Sequence, residues 1–289
     1  MTDLEDCKNL VEFQSPGTPN FVVPDVHNNQ NFVIAYHNRI ETVKWNSLTN
    51  DPSQVLKIFT DINLPANEAI NYGIADTSGA LWFGTMRTDG TKLGKLWTYY
   101  PHPRASVLKE QKLPGIDLSN GIAWHVYNKE IFYCIDYVNN KILSYEYDVV
   151  KRKVKRITGI AFDLESWYEL HSPRLYYGHA RLGRMTIDTK GRLWVPLNGG
   201  SHVLQIEPRV SAVYEIIRIP AVKVNACVFG GIGNNVLYVS TLKCETNENC
   251  PDGDQGGSIF TITNFDKGVK GEDASPFVFP SLYNKRNKS

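Results

Sequence analysis

An all-β fold is what this sequence predicts, and three observations predict it. Aromatic residues are abundant, with fifteen Tyr, twelve Phe and six Trp, and such side chains suit the pleated, half-buried surface of a strand. Asn, Asp, Gly and Lys punctuate apolar runs of four to eight residues, and no amphipathic helix of useful length stands out. A polar turn followed by a short apolar or aromatic strand then recurs five times along the chain.

Taken in order, the first unit joins HNNQNFVIAY (27–36) to HNRIETVKW (37–45). The second joins DTSGALWFGT (76–85) to GKLWTYY (94–100), and the third VYNKEIFYCID (126–136) to NKILSYEY (140–147). The fourth runs DTKGRLWVPL (188–197) into SHVLQIEP (201–208) through NGG at 198–200, which reads as a hairpin turn. The fifth runs GIGNNVLYVST (231–241), after the FGG turn at 229–231, to GGSIFTIT (256–263). Between those last strands, Asp252-Gly-Asp-Gln-Gly-Gly is a turn-forming loop. An EF-hand reading fails there because the twelfth position is Thr263 instead of Glu.

Counted from Phe32, Leu81, Ile131, Leu193 and Leu237, the units step by 49, 50, 62 and 44 residues. Four-stranded propeller blades repeat at roughly 40–50 residues. One small antiparallel sheet leaves its faces uncovered, and radial packing of sheets covers them while leaving only short edges. A β-sandwich would not produce five similar units at one spacing. The chain is therefore expected to form one propeller domain over 1–289, with ASVLKEQKL (105–113) open to a short helix. The step of 62 marks an insertion, ESWYELHSPRLYYGHARLG (165–183), which reads as a lid-like excursion.

Lys plus Arg number 31 and Asp plus Glu 30, a net charge of +1. That balance argues against nucleic acid or an anionic membrane as the main partner, since both require a basic field. The basic clusters KVKRITG and YNKRNKS read as solvated surface, and Asn287-Lys-Ser289 as a chance glycosylation match. The acidic opening has no apolar stretch behind it and no run of 18 apolar residues occurs, so the expectation is cytoplasmic. Of five cysteines, Cys134 and Cys227 sit in apolar runs and read as buried. Cys244 and Cys250 flank ETNEN and would close a short bridge in an exported chain; with Cys7 they lack the CxxC spacing of structural zinc sites. No Gly-x-Ser-x-Gly elbow supports a serine hydrolase.

From SNGIAW (119–124) through IFYCIDYVNNKILSYEYD, MTIDTKGRLWV (185–195), NGG, VNACVFGGIGNNVLYVST (224–241), GGSIFTIT and GVKG (268–271), the sequence resembles the regucalcin, senescence-marker and gluconolactonase family. ADTSGALWFGTM (75–86) adds to the likeness, which spans most of 70–271. The sequence also resembles insect members, including those related to firefly luciferin-regenerating enzyme. The resemblance implies a six-bladed β-propeller whose top holds one divalent cation, Ca²⁺ or Zn²⁺, and an enzyme that hydrolyses sugar lactones. It also implies cation ligands from a Glu in an early turn, the Asn of SNG and the Asp of a PDG turn, with an Arg-x-Asn-Asp-Gly segment touching substrate.

Set against that pattern, the SNG ligand is present as Asn120. The substrate segment reads Ala69-Ile70-Asn71-Tyr72-Gly73, keeping Asn71 but losing the Arg and the Asp. The PDG ligand position is Gly183, followed by Arg184, and the early Glu turn is missing, as is most of the first blade. A hard cation requires carboxylates, so Asn71 and Asn120 read as vestiges. The expectation is a small-molecule-binding protein with little or no catalytic activity, its pocket shaped by Ala69, Tyr72, Trp167, His171, Tyr177 and His179. The alternative is a metal-dependent lactonase with ligands rebuilt from His171, Glu169 or His179, which would favour zinc. A third is an interaction scaffold using strand edges left by the absent blade. Oligomeric state is not legible.

Overall fold

The computed structural model describes residues 19–25, 30–36, 38–46, 54–59, 64–89, 91, 94–100, 106–116, 118–265 and 268–278. Cys7, the acidic opening and the basic tail with Asn287 lie outside the described residues. Residues 120–273 form one compact unit, and the described parts of 19–119 with 274–278 form a second.

The second unit holds two four-stranded antiparallel sheets. The first is β1 (Phe21–Pro24), β2 (Asn31–Tyr36), β3 (Arg39–Lys44) and β4 (Gln54–Ile58), and its neighbour is β5 (Glu68–Ala75), β6 (Leu81–Arg87), β7 (Leu96–Tyr100) and β8 (Val107–Gln111). Strand alternation sends Val33, Ala35 and Ile40 of one sheet and Leu81, Phe83 and Tyr99 of the other into a common core. Phe277 closes that core, fully buried, its backbone bridged to Asp25 beside β1.

The 120–273 unit carries three further sheets. They are β9 (Ser119–Trp124), β10 (Ile131–Asp136), β11 (Lys141–Asp148) and β12 (Lys153–Asp163); then β13 (Arg181–Leu182), β14 (Thr186–Ile187), β15 (Leu193–Asn198), β16 (His202–Glu207) and β17 (Ala212–Arg218); then β18 (Val224–Gly230), β19 (Val236–Thr241) and β20 (Ile259–Ile262). Four of the sheets follow chain order as antiparallel meanders, the pattern of a propeller blade; in the other, β13 and β14 both pair with β15 before β16 and β17 follow, and there are five sheets among the described residues. The last has three strands. One of its faces buries Cys227, Phe229, Leu237 and Val239 against Trp194 and Val203, while Val228, Tyr238 and Ile259 on the other stay exposed.

All ten strands expected from the repeats are present, at β2, β3, β6, β7, β10, β11, β15, β16, β19 and β20. The helical option for 105–113 is overturned: Val107–Gln111 is β8, paired with β7 from Tyr100↔Val107 to Leu96↔Gln111. A nine-residue helix would be marginal on its own, and the sheet offers a complete set of backbone partners. Gln111 completes the exchange by donating from its amide to Thr98 Oγ1 at 3.0 Å. KVKRITG lies on β12, where Lys155 and Arg156 both pair with Glu146 at the surface.

The turns that start β6 and β15 share one device. In Asp76-Thr-Ser-Gly-Ala-Leu-Trp82, Asp76 Oδ1 accepts from the backbone N–H of Ser78 (2.9 Å) and Ala80 (3.0 Å), while Oδ2 accepts from Trp82 Nε1 (2.9 Å). Asp188 repeats this with Lys190, Arg192 and Trp194, and also accepts from Gln205 Nε2. At the equivalent turn before β10, the acceptor is His125, whose Nδ1 takes the N–H groups of Tyr127 and Asn128, both at 3.1 Å.

Only neutral imidazole has that acceptor. Burial, with Arg209 and Lys129 opposing a further positive charge and Glu207 favouring it, holds the His125 pKa below its ordinary value. The unfolded chain therefore binds the proton first as pH falls, so this contribution is intact above about 6.5 and is lost down through the depressed native pKa. The urea midpoint should fall between pH 7.5 and 5. His125→Asp, which restores the acceptor used by the other two turns, should flatten part of that slope. His202, also lowered by burial, adds a contribution of the same sign. An unchanged slope in His125→Asp would sink the idea.

Candidate functional site

Within the 120–273 unit, the candidate residues Asn120 and Gly183 lie on β9 and just after β13. Asn120 is the second residue of β9, buried, with Nδ2 3.4 Å from the Leu182 carbonyl oxygen. Gly121 follows with φ +147°, a value open to glycine, and a Cβ there would lie 3.6 Å from Arg184 Cα and 3.7 Å from Met185 N. After β13 the chain leaves β15 and crosses to β18: Gly183 N–H donates to Pro196 O (2.8 Å), Arg184 N–H to Asn225 O (2.9 Å), and Cys227 N–H to Arg184 O (3.1 Å). This crossing closes position 183. A Cβ there would overlap the Asn225 carbonyl oxygen and come within 2.9 Å of Pro196 Cγ.

The donor set follows from that geometry. A hard divalent cation takes six or more oxygens, carboxylates foremost. Position 183 has neither a side chain nor space for one, which leaves Asn120, a neutral amide, as the oxygen donor of the pair. These residues do not fit a carboxylate-ligated cation. Among the described residues, the group of His, Cys, Asp or Glu whose ligand atoms converge within 4.8 Å is Cys244, Glu248 and Cys250, so His171, Glu169 and His179 are not assembled into a set of three.

In the other unit, Ala69, Asn71 and Tyr72 lie on β5. The register slips between Ile70 and Tyr72, so half-buried Asn71 occupies a bulge. The Tyr72 ring lies over Gly84, where a Cβ would strike it, and its hydroxyl hydrogen-bonds Ser119 Oγ. Tyr72 is thereby a packed, fixed ring. Ala69 is buried.

The insertion contains the one described helix, α1 (Leu164–Leu170), capped by Asp163 accepting from Ser166 N–H. Its aromatic residues divide. Trp167 packs on Phe162 and His171, and Tyr168 stacks on buried Tyr176 at 4.2 Å between ring centres while its hydroxyl donates to the Tyr176 carbonyl. Tyr177, 92% exposed, and exposed His179 point outward. Sequence reasoning missed the residue that fastens this segment. Fully buried Asn140, at φ +58°, donates to Glu165 Oε1 and Ala180 O (both 2.8 Å) and accepts from Leu182 N–H (3.0 Å). Its only sequence signal is the Asn-Asn turn that opens β11. Asn140→Ala should cost about 2–3 kcal/mol through those orphaned groups. Limited proteolysis should then cut 165–180 in protein whose sheets remain folded.

Five antiparallel blade sheets make the fold class an all-β propeller. Residues 3–243 match the SMP-30/gluconolactonase/LRE-like region, and the chain belongs to that family. The regucalcin of Gallus gallus is 28% identical over 255 residues, covering 86% of this chain and 77% of its own length. An uncharacterised protein of Sulfolobus acidocaldarius is 27% identical over 228 residues, covering 77% of this chain and 72% of its own. In fold, the chain is similar to luciferin-regenerating enzyme (TM-score 0.75, 22% identity, 92% of this chain and 84% of that one). It is also similar to regucalcin from Agrobacterium tumefaciens, described as a calcium-binding protein (TM-score 0.65, 16% identity, 91% and 80%). No described helix is long and apolar enough to cross a membrane. Cys134 and Cys227 are buried free thiols, and Cys244 and Cys250 are bridged.

Proposed function

We propose that this chain is a small-molecule-binding member of the gluconolactonase family in which backbone packing has replaced the hard-cation centre. One observation carries the reading: at Gly183, the position to which the family resemblance assigns the PDG carboxylate, the Asn225 carbonyl occupies the space a side chain would need. Asn120 then serves as a structural amide tying β9 to Leu182. Tyr177 and His179 are exposed members of the fastened lid segment, and we assign ligand contact to them. A cytoplasmic location belongs to the same proposal.

The test is thermal unfolding of chelator-stripped protein with millimolar Ca²⁺, Mg²⁺ or Mn²⁺. A site filled to 100 times its dissociation constant adds about 2.7 kcal/mol, an easily read shift. The expected result is no shift, together with no sugar-lactone hydrolysis above background. A Ca²⁺ shift that Asn120→Ala removes, accompanied by lactone hydrolysis, would overturn this reading in favour of a metal-dependent lactonase.

A further inference from the structure

The loop between β19 and β20 holds a second arrangement of metal-binding chemistry, independent of every residue in the reading above. Cys244 Sγ, Cys250 Sγ and a Glu248 carboxylate oxygen lie within 4.8 Å of one another, at the surface, with the two sulfurs bridged. Hydrogen bonds that do not involve sulfur hold this convergence in place. Glu248 N–H donates to Glu245 O (3.0 Å), and Glu245 N–H donates back to Glu248 Oε2 (2.8 Å). Lys223 Nζ grips both Glu248 oxygens at 2.9 and 2.7 Å and reaches the Lys243 carbonyl at 3.4 Å. Beyond Cys250, Asp254 Oδ1 accepts from Val222 N–H (2.6 Å), and Gln255 N–H donates to Pro220 O (2.9 Å). The loop is thus anchored to the 220–223 segment on both sides of the bridge.

We propose that this loop is a redox-gated soft-metal site, bridged when oxidised and binding Zn²⁺ or a similar thiophilic cation through Cys244, Cys250 and Glu248 when reduced. Opening requires a dithiol reductant. Two electrons and two protons pass from the dithiol, which becomes a cyclic disulfide, to the Cys244–Cys250 bond, which becomes two thiols. The metal then displaces both thiol protons, and two thiolates with one carboxylate leave a fourth tetrahedral position for water. CxxC spacing is not needed here, because the turn between Glu245 and Glu248 folds the intervening residues back so that the two cysteines meet.

The experiment uses the full chain carrying Cys7→Ser, with Cys134 and Cys227 buried. Titrated with Cd²⁺ after reduction, it should bind one equivalent and develop an ultraviolet thiolate-to-metal band, and the oxidised form should develop none. Cys250→Ser should abolish the band. Glu248→Gln, which leaves the bridge chemistry intact, should weaken Zn²⁺ binding by about tenfold or more, at least the loss an outer-shell partner causes. Absence of the band in reduced protein, its persistence in Cys250→Ser, equal uptake by oxidised protein, or unchanged affinity in Glu248→Gln each overturns the proposal.

Discussion

Asp188→Ala is expected to lower the free energy of unfolding by about 3–5 kcal/mol, the range for stripping partners from several buried polar groups at once. Asp188 is fully buried, and its two oxygens satisfy the backbone N–H groups of Lys190 and Arg192, the Trp194 indole and the Gln205 amide. No water reaches the site to replace them without opening the layer around Trp194, itself fully buried against Phe229 and Phe265. Asp188→Asn keeps the shape but turns an N–H₂ toward donors, so it should fall between Ala and the parent chain. Urea unfolding followed by Trp fluorescence reads both. A loss below about 1 kcal/mol in Asp188→Ala would mean that the turn is held by its backbone alone.

The second large effect is expected at Gly183. Gly183→Asp restores the residue type that the family resemblance places there, yet it should cost about 3 kcal/mol and confer no Ca²⁺-dependent shift in Tm, because the Cβ itself meets the Asn225 carbonyl. Gly183→Ala separates sterics from charge: it should lose most of the same stability. A Gly183→Asp protein that melts like the parent and gains stability in millimolar Ca²⁺ would show that the strand crossing yields readily and that the site is dormant instead of closed.

The hairpins were legible because their chemistry is local. Asp-Thr-Lys-Gly before Arg-Leu-Trp-Val states a turn and a buried strand within a dozen residues, and β15 begins at Leu193 as expected. The inner strands gave a weaker signal. β5 and β18 each contain a bulge, and β13 and β14 are two residues apiece, so period-2 alternation is broken where the site lies. Outer strands such as β12 and β17 carry several exposed positions, and the repeat pattern did not include them. At the site, the sequence alone reported that the carboxylate at 183 was gone. That the position is closed depends on Asn225, 42 residues further on, and no local pattern carries it. The lid was recognised by its length, but its fastening through Asn140 was not, since one αL asparagine in a hairpin looks like any other.

The Asp76 and Asp188 turns have a consequence for how such a chain changes over generations. Each carboxylate finds its backbone and indole partners within six residues of itself, so the instructions for starting a blade's hairpin make no reference to any other blade. Such a unit can be duplicated, shortened or lost without rewriting its neighbours, and the surviving copies drift independently, as His125 in the third turn illustrates. The crossing at 183–184 is the opposite case: it is written jointly by two blades, and neither can revise it alone.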